Sequence, residues 1–154
     1  MNKELINIGK NSKKAFSSNL DSKKKNKVLK DYCYLINKNK RLIINQNKKD
    51  IYLSQKKGLN TNLINRLALD EKKIKNIVNT IKSIIKLKDP TNVILEKIKR
   101  PNGLNISKVS IPIGIIGVIY ESRPNVTADV ASLCFKSGNA VILKGGKEAF
   151  YSNK

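Results

Sequence analysis

Apolar and polar positions along this 154-residue chain change period near residue 92. Before that point apolar residues recur three and four apart, the spacing of amphipathic helices. The pattern predicts a helix over Glu4–Ser18 and another over Asp21–Asn47, the latter on Val28, Leu29, Tyr32, Leu35 and Ile36, with Asp21 or Ser22 capping its start. A further helix over Lys49–Lys57 ends at Gly58, and a short one covers Thr61–Leu67. Asp70-Glu71 opens a longer helix to Lys88, whose stripe is Ile74, Ile77, Val78, Ile81, Ile84 and Ile85, and Asp89-Pro90 closes it. Residues 1–90 are therefore mainly helical.

From Asn92 the pattern nears alternation. Val93, Leu95 and Ile98 lie before a Pro101-Asn102-Gly103 turn, and Leu104, Ile106, Val109 and Ile111 after it, so residues 92–111 read as a β-hairpin. A buried strand over Ile115–Tyr120 follows, then a helix over Val126–Lys136, a stop at Ser137-Gly138-Asn139 and a second buried strand over Ala140–Lys144. Gly145-Gly146 then leads into a new helix. Residues 112–154 thus begin a βαβ unit with a ligand-facing loop after each strand. The expected class is α/β: N-terminal helices plus the beginning of a Rossmann-like parallel sheet, with a hairpin arm. Such a sheet needs more strands and cover on both faces, so the chain is expected to be an incomplete domain, inactive and poorly folded alone.

The formal charge of +21 raises the prospect of a nucleic-acid partner. Its distribution weakens that reading. Residues 1–105 carry 26 Lys and Arg against 8 Asp and Glu, whereas residues 106–154 carry 6 against 3, and no aromatic interleaving offers bases a stacking surface. An AT-rich coding sequence produces the same Lys, Asn and Ile bias. A non-catalytic basic binding or interaction protein remains the alternative, to be recognised by steep salt dependence of saturable binding. Cys33 and Cys134 form neither a disulfide framework nor a metal site, with no His to complete one, which fits a reducing cytoplasmic compartment. No run approaches the roughly 18 apolar residues of a membrane span, and Met1–Asn11 lacks a signal-peptide core.

Two segments carry candidate chemistry. In Lys144-Gly145-Gly146-Lys147-Glu148 the glycines permit close backbone approach and the lysines favour a phosphate; the same spacing equally suits a plain strand-to-helix turn with solvated lysines. In Glu121-Ser122-Arg123-Pro124-Asn125, Arg123 is placed to clamp an acyl phosphate or carboxylate. Asn125 or backbone amides are placed to donate to an oxyanion, and Asn125 also reads as a helix N-cap. Cys134, on the apolar side of its helix with Val130 and Leu133, reads as a core thiol, as does Cys33.

The string PIGIIGVIYESRPNVTADVASLCFKSGNAVILKGGKEA closely resembles the gamma-glutamyl phosphate reductase family, a branch of the aldehyde dehydrogenase superfamily. The resemblance continues upstream through GLNTNLINRLALDEKKIKNIV and KNKVL. It implies the N-terminal part of an NADPH-dependent reductase that converts L-glutamyl 5-phosphate to L-glutamate 5-semialdehyde in proline biosynthesis. There a cysteine thiolate displaces phosphate and hydride reduces the thioester. Neither cysteine here matches the family's nucleophile motif, so that residue and the catalytic domain are expected beyond this chain. The resemblance places Lys144 at the adenosine ribose, Gly145, Gly146 and Lys147 near the NADP 2′-phosphate, with Glu148 a further cofactor-binding residue, and Glu121, Ser122, Arg123 and Asn125 at the nicotinamide and substrate. It also implies a homo-oligomer, with the hairpin as the pairing arm.

Overall fold

The computed structural model describes residues 3–18 and 20–154. Five helices come first: α1 (Lys3–Ser17), α2 (Ser22–Lys38), α3 (Lys40–Lys56), α4 (Thr61–Leu67) and α5 (Glu71–Lys86). The strands β1 (Ile94–Lys99) and β2 (Asn105–Val109) follow, then β3 (Ile115–Ile119), α6 (Pro124–Lys136) and β4 (Ala140–Lys144). A 3-10 turn, Lys147–Ala149, leads into α7 (Phe150–Asn153).

Helix starts follow the capping chemistry. Asp21 and Asp70 accept from the backbone N–H of Lys24 and Lys73 at 2.7 and 2.6 Å. Gly58, at φ 71°, ends α3: its N–H donates to Gln55 O and that of Leu59 to Ser54 O, which satisfies two terminal carbonyls.

One boundary differs from expectation. Instead of a helix over Asp21–Asn47 and another over Lys49–Lys57, the chain breaks at Asn39 and α3 runs straight through residues 47–48. Asn39 leaves helical geometry (φ −98°, ψ 12°), and both its backbone N–H and its Nδ2 donate to Leu35 O. Such local side-chain bonds compete with helix continuation. Asn47 does not compete in this way, because its amide is wholly buried and engaged elsewhere.

The core joins α2, α5 and α6. Leu29, Cys33 and Ile36 meet Ile74, Ile77, Val78, Ile81 and Ile84, with Ala128 closing the cluster. Val28 and Leu35, expected on the α2 stripe, are exposed; Leu29 and Cys33 take the inward positions, with Tyr32 packed beside them. Leu133 is likewise exposed although its neighbour Cys134 is buried.

Two lysines are buried. Lys25 Nζ pairs with Asp89 Oδ2 at 3.0 Å and donates to Thr91 Oγ1, tying α2 to the turn before the hairpin. Lys136 Nζ donates to Asn26 Oδ1 and to Ile85 O near the end of α5, where a cation also complements the helix dipole.

β1 and β2 pair antiparallel, with Ile98 opposite Ile106, and every residue of both strands is exposed. β3 and β4 pair in parallel, Ile115 opposite Ala140 through Ile119 opposite Lys144, with α6 as the crossover. α1 and α6 both pack on β4. Strand periodicity shows on β3, where Ile115, Gly117 and Ile119 are exposed and Ile116 and Val118 half-buried. No described helix is long and apolar enough to cross a membrane.

Candidate functional site

Parallel pairing brings the two chemistry-bearing segments to one edge. Tyr120 N–H donates to Lys144 O at 3.1 Å, and there β3 and β4 both give way to their loops. A Cβ on Gly146 would lie 3.5 Å from the carbonyl carbon of Glu121, so the loops are packed against each other. Ligands of open α/β sheets collect outside such carboxyl ends.

In the first loop, Glu121 and Arg123 are exposed and Ser122 is buried. Arg123 N–H folds back on Glu121 O at 2.6 Å, and Pro124 takes the first helical position of α6. That corrects the N-cap reading of Asn125. Arg123 is the capping residue, without a side-chain bond, because Pro124 fixes the helical φ one residue early. Asn125 lies inside the first turn and donates from Nδ2 to Asp129 Oδ2 at 3.2 Å, one turn on. One of its two amide hydrogens remains for another acceptor. Burial pushes the Asp129 carboxyl above its usual range, with the Asn125 bond opposing, and Oδ1 is buried without a partner.

In the second loop, Lys144 and Lys147 are exposed and form no hydrogen bond or ion pair with any described residue. Their charges are available to an anion. The glycines serve close packing: a Cβ on Gly145 would meet Asn153 Nδ2 at 2.6 Å, and one on Gly146 would meet the Glu148 carboxylate.

Residues outside both segments hold the loops in place. The Tyr120 hydroxyl lies 2.5 Å from Thr127 Oγ1, which donates to Asn153 Oδ1 at 2.8 Å. Since threonine has one hydroxyl hydrogen, Tyr120 is the donor to it. This chain joins the end of β3, the first turns of α6 and α7. On the far side, Asp50 of α3 accepts from the backbone N–H groups of Tyr151 and Ser152 at 3.0 and 2.7 Å and from Ser152 Oγ. Asn47, one turn earlier, donates to Leu67 O and Ser152 Oγ and accepts from Leu69 N–H. Both α3 side chains are buried. Sequence reading missed this frame, and it missed Asp129 as well, whose legible signal is that it is the sole acid of α6, four residues after Asn125.

Cys33 and Cys134 are buried, and burial pushes both thiols up, away from the thiolate form.

The fold is therefore that of an α/β protein whose parallel strands end in a two-loop site. No protein-family profile matches the chain. Individual proteins do, and they agree with one another. A gamma-glutamyl phosphate reductase of Nautilia profundicola is 48% identical over 151 residues, covering 98% of this chain and 36% of that protein. One of Clostridium tetani is 47% identical over 100% of this chain and 36% of its own length. The crystal structure of gamma-glutamyl phosphate reductase from Thermotoga maritima superimposes with TM-score 0.94 at 36% identity, covering 98% of this chain and 37% of that one. That from Saccharomyces cerevisiae gives 0.90 at 33% identity, covering 95% and 38%. The chain thus spans little more than a third of these relatives' length and is similar throughout to the N-terminal part of gamma-glutamyl phosphate reductase.

Proposed function

We propose that the chain provides the cofactor side of an NADPH-dependent reductase that converts L-glutamyl 5-phosphate to L-glutamate 5-semialdehyde in proline biosynthesis, in the cytoplasm. The observation that carries this reading is the meeting of the YESRPNVT and KGGKE segments at the carboxyl edge of β3 and β4, in a chain 48% identical to a reductase over 98% of its length. The residues present suit NADP. Two unpaired lysines at a strand's carboxyl end offer charge-assisted bonds to a ribose phosphate. Lys144 is assigned to the adenosine ribose, Gly145, Gly146 and Lys147 to the surroundings of the 2′-phosphate, and Glu148 to the same cofactor loop. When bound, the dinucleotide supplies the hydride. Glu121, Ser122, Arg123 and Asn125 flank the reacting end of the substrate. There Arg123 meets the phosphate and the free Asn125 N–H faces the developing oxyanion.

Neither cysteine is assigned a role, since both are buried in the helical layer with their thiols held protonated. The nucleophile belongs to the part of the relatives' length that this chain does not span. The exposed hairpin Ile94–Val109 is assigned to pairing with a second copy in the assembled enzyme. A chimera tests the catalytic reading: this segment replaces the matching third of the Nautilia profundicola reductase, and phosphate-dependent NADP reduction by glutamate 5-semialdehyde is assayed. Turnover is expected; a folded chimera without it overturns the proposal.

A further inference from the structure

A cleft of about 400 Å³ opens between α3 and α7, lined by Lys48, Lys49, Tyr52, Leu53 and Tyr151. Its rings reach solvent: Tyr52 is 56% and Tyr151 40% exposed. Phe150, also exposed, meets Tyr151 edge-on with ring centres 5.3 Å apart and widens the aromatic surface. Lys49, Tyr52 and Lys56 follow one another three and four apart, so they share one face of α3. Each tyrosine has an ammonium group beside it. Lys56 Nζ stands 4.8 Å from the centre of the Tyr52 ring, and Lys49 Nζ 5.9 Å from that of Tyr151.

The charge on this face is not balanced locally. Residues 32–69 carry eight Lys and Arg against one acid, Asp50. That carboxylate is buried and already accepts from Tyr151 N–H, Ser152 N–H and Ser152 Oγ. Of the elements packed on α3, α4 and α7 carry no acid. α5 carries Glu71, which pairs with Lys40 at 3.4 Å, and the turn Lys147–Ala149 carries Glu148, whose carboxylate lies over Gly146. The cleft is therefore cationic and aromatic at once, and the partner that complements it is an anion with flat, exposed faces. An acidic peptide has the charge without the faces. A duplex has both but keeps its bases stacked on one another. An unpaired strand offers phosphates and free base faces together. Sequence spacing shows no such surface because folding creates it, by setting Tyr151 of α7 against α3.

We propose that the α3–α7 face binds single-stranded nucleic acid, with bases stacking on Tyr52 and Tyr151 and phosphates meeting Lys48, Lys49 and Lys56. Exposed contacts between an ammonium group and a ring are weak, so a base takes the ring face and the displaced lysine turns to the phosphate of the same strand. Stacking is indifferent to base identity, so the surface recognises the unpaired state and not a sequence. This binding does not rest on the reductase reading.

The test is a titration of the 154-residue chain, and of the chimera, with an oligothymidylate of about 12 nucleotides, within the usual span of such sites. A duplex of the same length, polyglutamate and adenosine monophosphate serve as comparison probes. Saturable binding of the single strand is expected in both proteins, with quenching of tyrosine fluorescence, which no Trp obscures. Tyr52→Ala and Tyr151→Ala, at exposed positions, should each weaken the single strand at least fivefold and leave duplex and polyglutamate binding unchanged, whereas Tyr52→Phe keeps the ring and the affinity. Lys49→Gln should weaken all three polyanions and reduce the slope of log affinity against log salt for the single strand by about 0.7, the amount for one phosphate contact. Absence of saturable binding, or tyrosine variants that bind the single strand as well as the parent, would overturn the proposal and reduce the surface to unspecific charge. Equal tyrosine dependence with polyglutamate would assign it to an acidic peptide, and adenosine monophosphate binding as tightly as the strand would assign it to a free nucleotide. Loss of binding in a folded chimera would mean that the rest of the reductase covers this face, and would overturn the proposal whether or not the chimera turns over.

Discussion

A Cβ on Gly145 would come within 2.6 Å of Asn153 Nδ2 and 3.1 Å of the Tyr120 hydroxyl. Both side chains belong to the hydrogen-bonded string through Thr127 and cannot withdraw without breaking it. The turn after β4 is therefore built around the missing side chain, so glycine at 145 keeps α7 against β3 and α6.

Gly145→Ala is accordingly expected to cost about 1–3 kcal/mol, the usual penalty for forcing an extra methyl into packed surroundings. Gly146→Ala crowds only the far end of the Glu148 side chain, meets the Glu121 backbone at an ordinary contact distance of 3.5 Å, and sits on a backbone (φ −62°, ψ 153°) that alanine adopts freely, so it should stay within about 0.5 kcal/mol. Chemical denaturation of the two variants checks the contrast. Equal effects would mean that the Tyr120–Thr127–Asn153 string yields without cost.

The pair Lys25–Asp89 makes a second, sharper prediction. The two side chains retain 4% and 15% of their accessible surface, and removing one partner of a buried pair strands the other charge. Asp89→Leu or Lys25→Met alone should destabilise by about 3–5 kcal/mol, whereas the two changes together should recover much of that. A double-mutant cycle on denaturation midpoints measures it, and additive losses would show that the two side chains act separately.

Acid titration should separate Asp89 from Asp129. At Asp89 burial alone would raise the carboxyl, but bonds from Thr91 Oγ1, Thr91 N–H and Lys25 outweigh it and hold the group below the usual range. Its contribution is therefore fully present above the unfolded value of 3.8 and is lost as pH falls through the folded value. Asp129 has the opposite sign: the folded state holds its proton more tightly than the unfolded chain does, so lowering the pH from neutral into the carboxylate range adds stability before Asp89 takes it away. Urea denaturation as a function of pH should show a maximum on the acid side of neutral that Asp129→Asn removes, since asparagine has nothing to titrate. A maximum unchanged in the variant would assign it to other groups.

These side chains mark where sequence legibility stops. The hairpin, the strand–helix–strand unit and the caps at Asp21, Asp70 and Gly58 are written in local period and turn chemistry, and the structure has them. Lys25, Lys136, Asn47 and Asp50 are buried by partners 20 to 110 residues away, and in a chain so rich in Lys and Asn they look like their solvated neighbours. The α2–α3 break was hidden for a related reason. Asn39 and Asn47 are the same residue type, and only tertiary partners determine that one caps while the other bridges. At the site, both loops were legible as segments, but their contact follows from β3 pairing in parallel with β4, and Thr127 and Asn153 join through that contact.

Asp50 offers a direct check on what holds α7. It receives two backbone N–H groups and the Ser152 hydroxyl from across the fold, so Asp50→Ala should free residues 147–154 while the α2–α5–α6 core, which it does not touch, stays intact. Each bond to a charged acceptor is worth about 1.5–3 kcal/mol. Amide hydrogen exchange should rise at Tyr151 and Ser152 and stay low at Ile77 and Ile81. Uniformly faster exchange would mean that α7 and the core unfold as one unit.

The last prediction concerns cofactor choice and turns on Lys147. It is exposed, has no partner among the described residues, and stands just after the two glycines at the carboxyl end of β4, beside Glu148, whose carboxylate lies over Gly146. An anion placed there gains from the lysine and loses from the glutamate, so the local charge is balanced and one substitution decides its sign. Lys147→Glu replaces attraction with repulsion for a 2′-phosphate and leaves the rest of the dinucleotide untouched. The variant should therefore lose NADP affinity by a factor of about ten or more, the amount carried by one charge-assisted hydrogen bond, with NAD affinity little changed. Raising the salt concentration should shrink the difference, because exposed charges are screened over about 10 Å at 0.1 M ionic strength. Calorimetric titration of the chimera and its Lys147→Glu form with both dinucleotides gives the four constants required. An unchanged NADP-to-NAD ratio would reduce Lys147 to a solvated turn residue and move the search for the phosphate contact to Lys144.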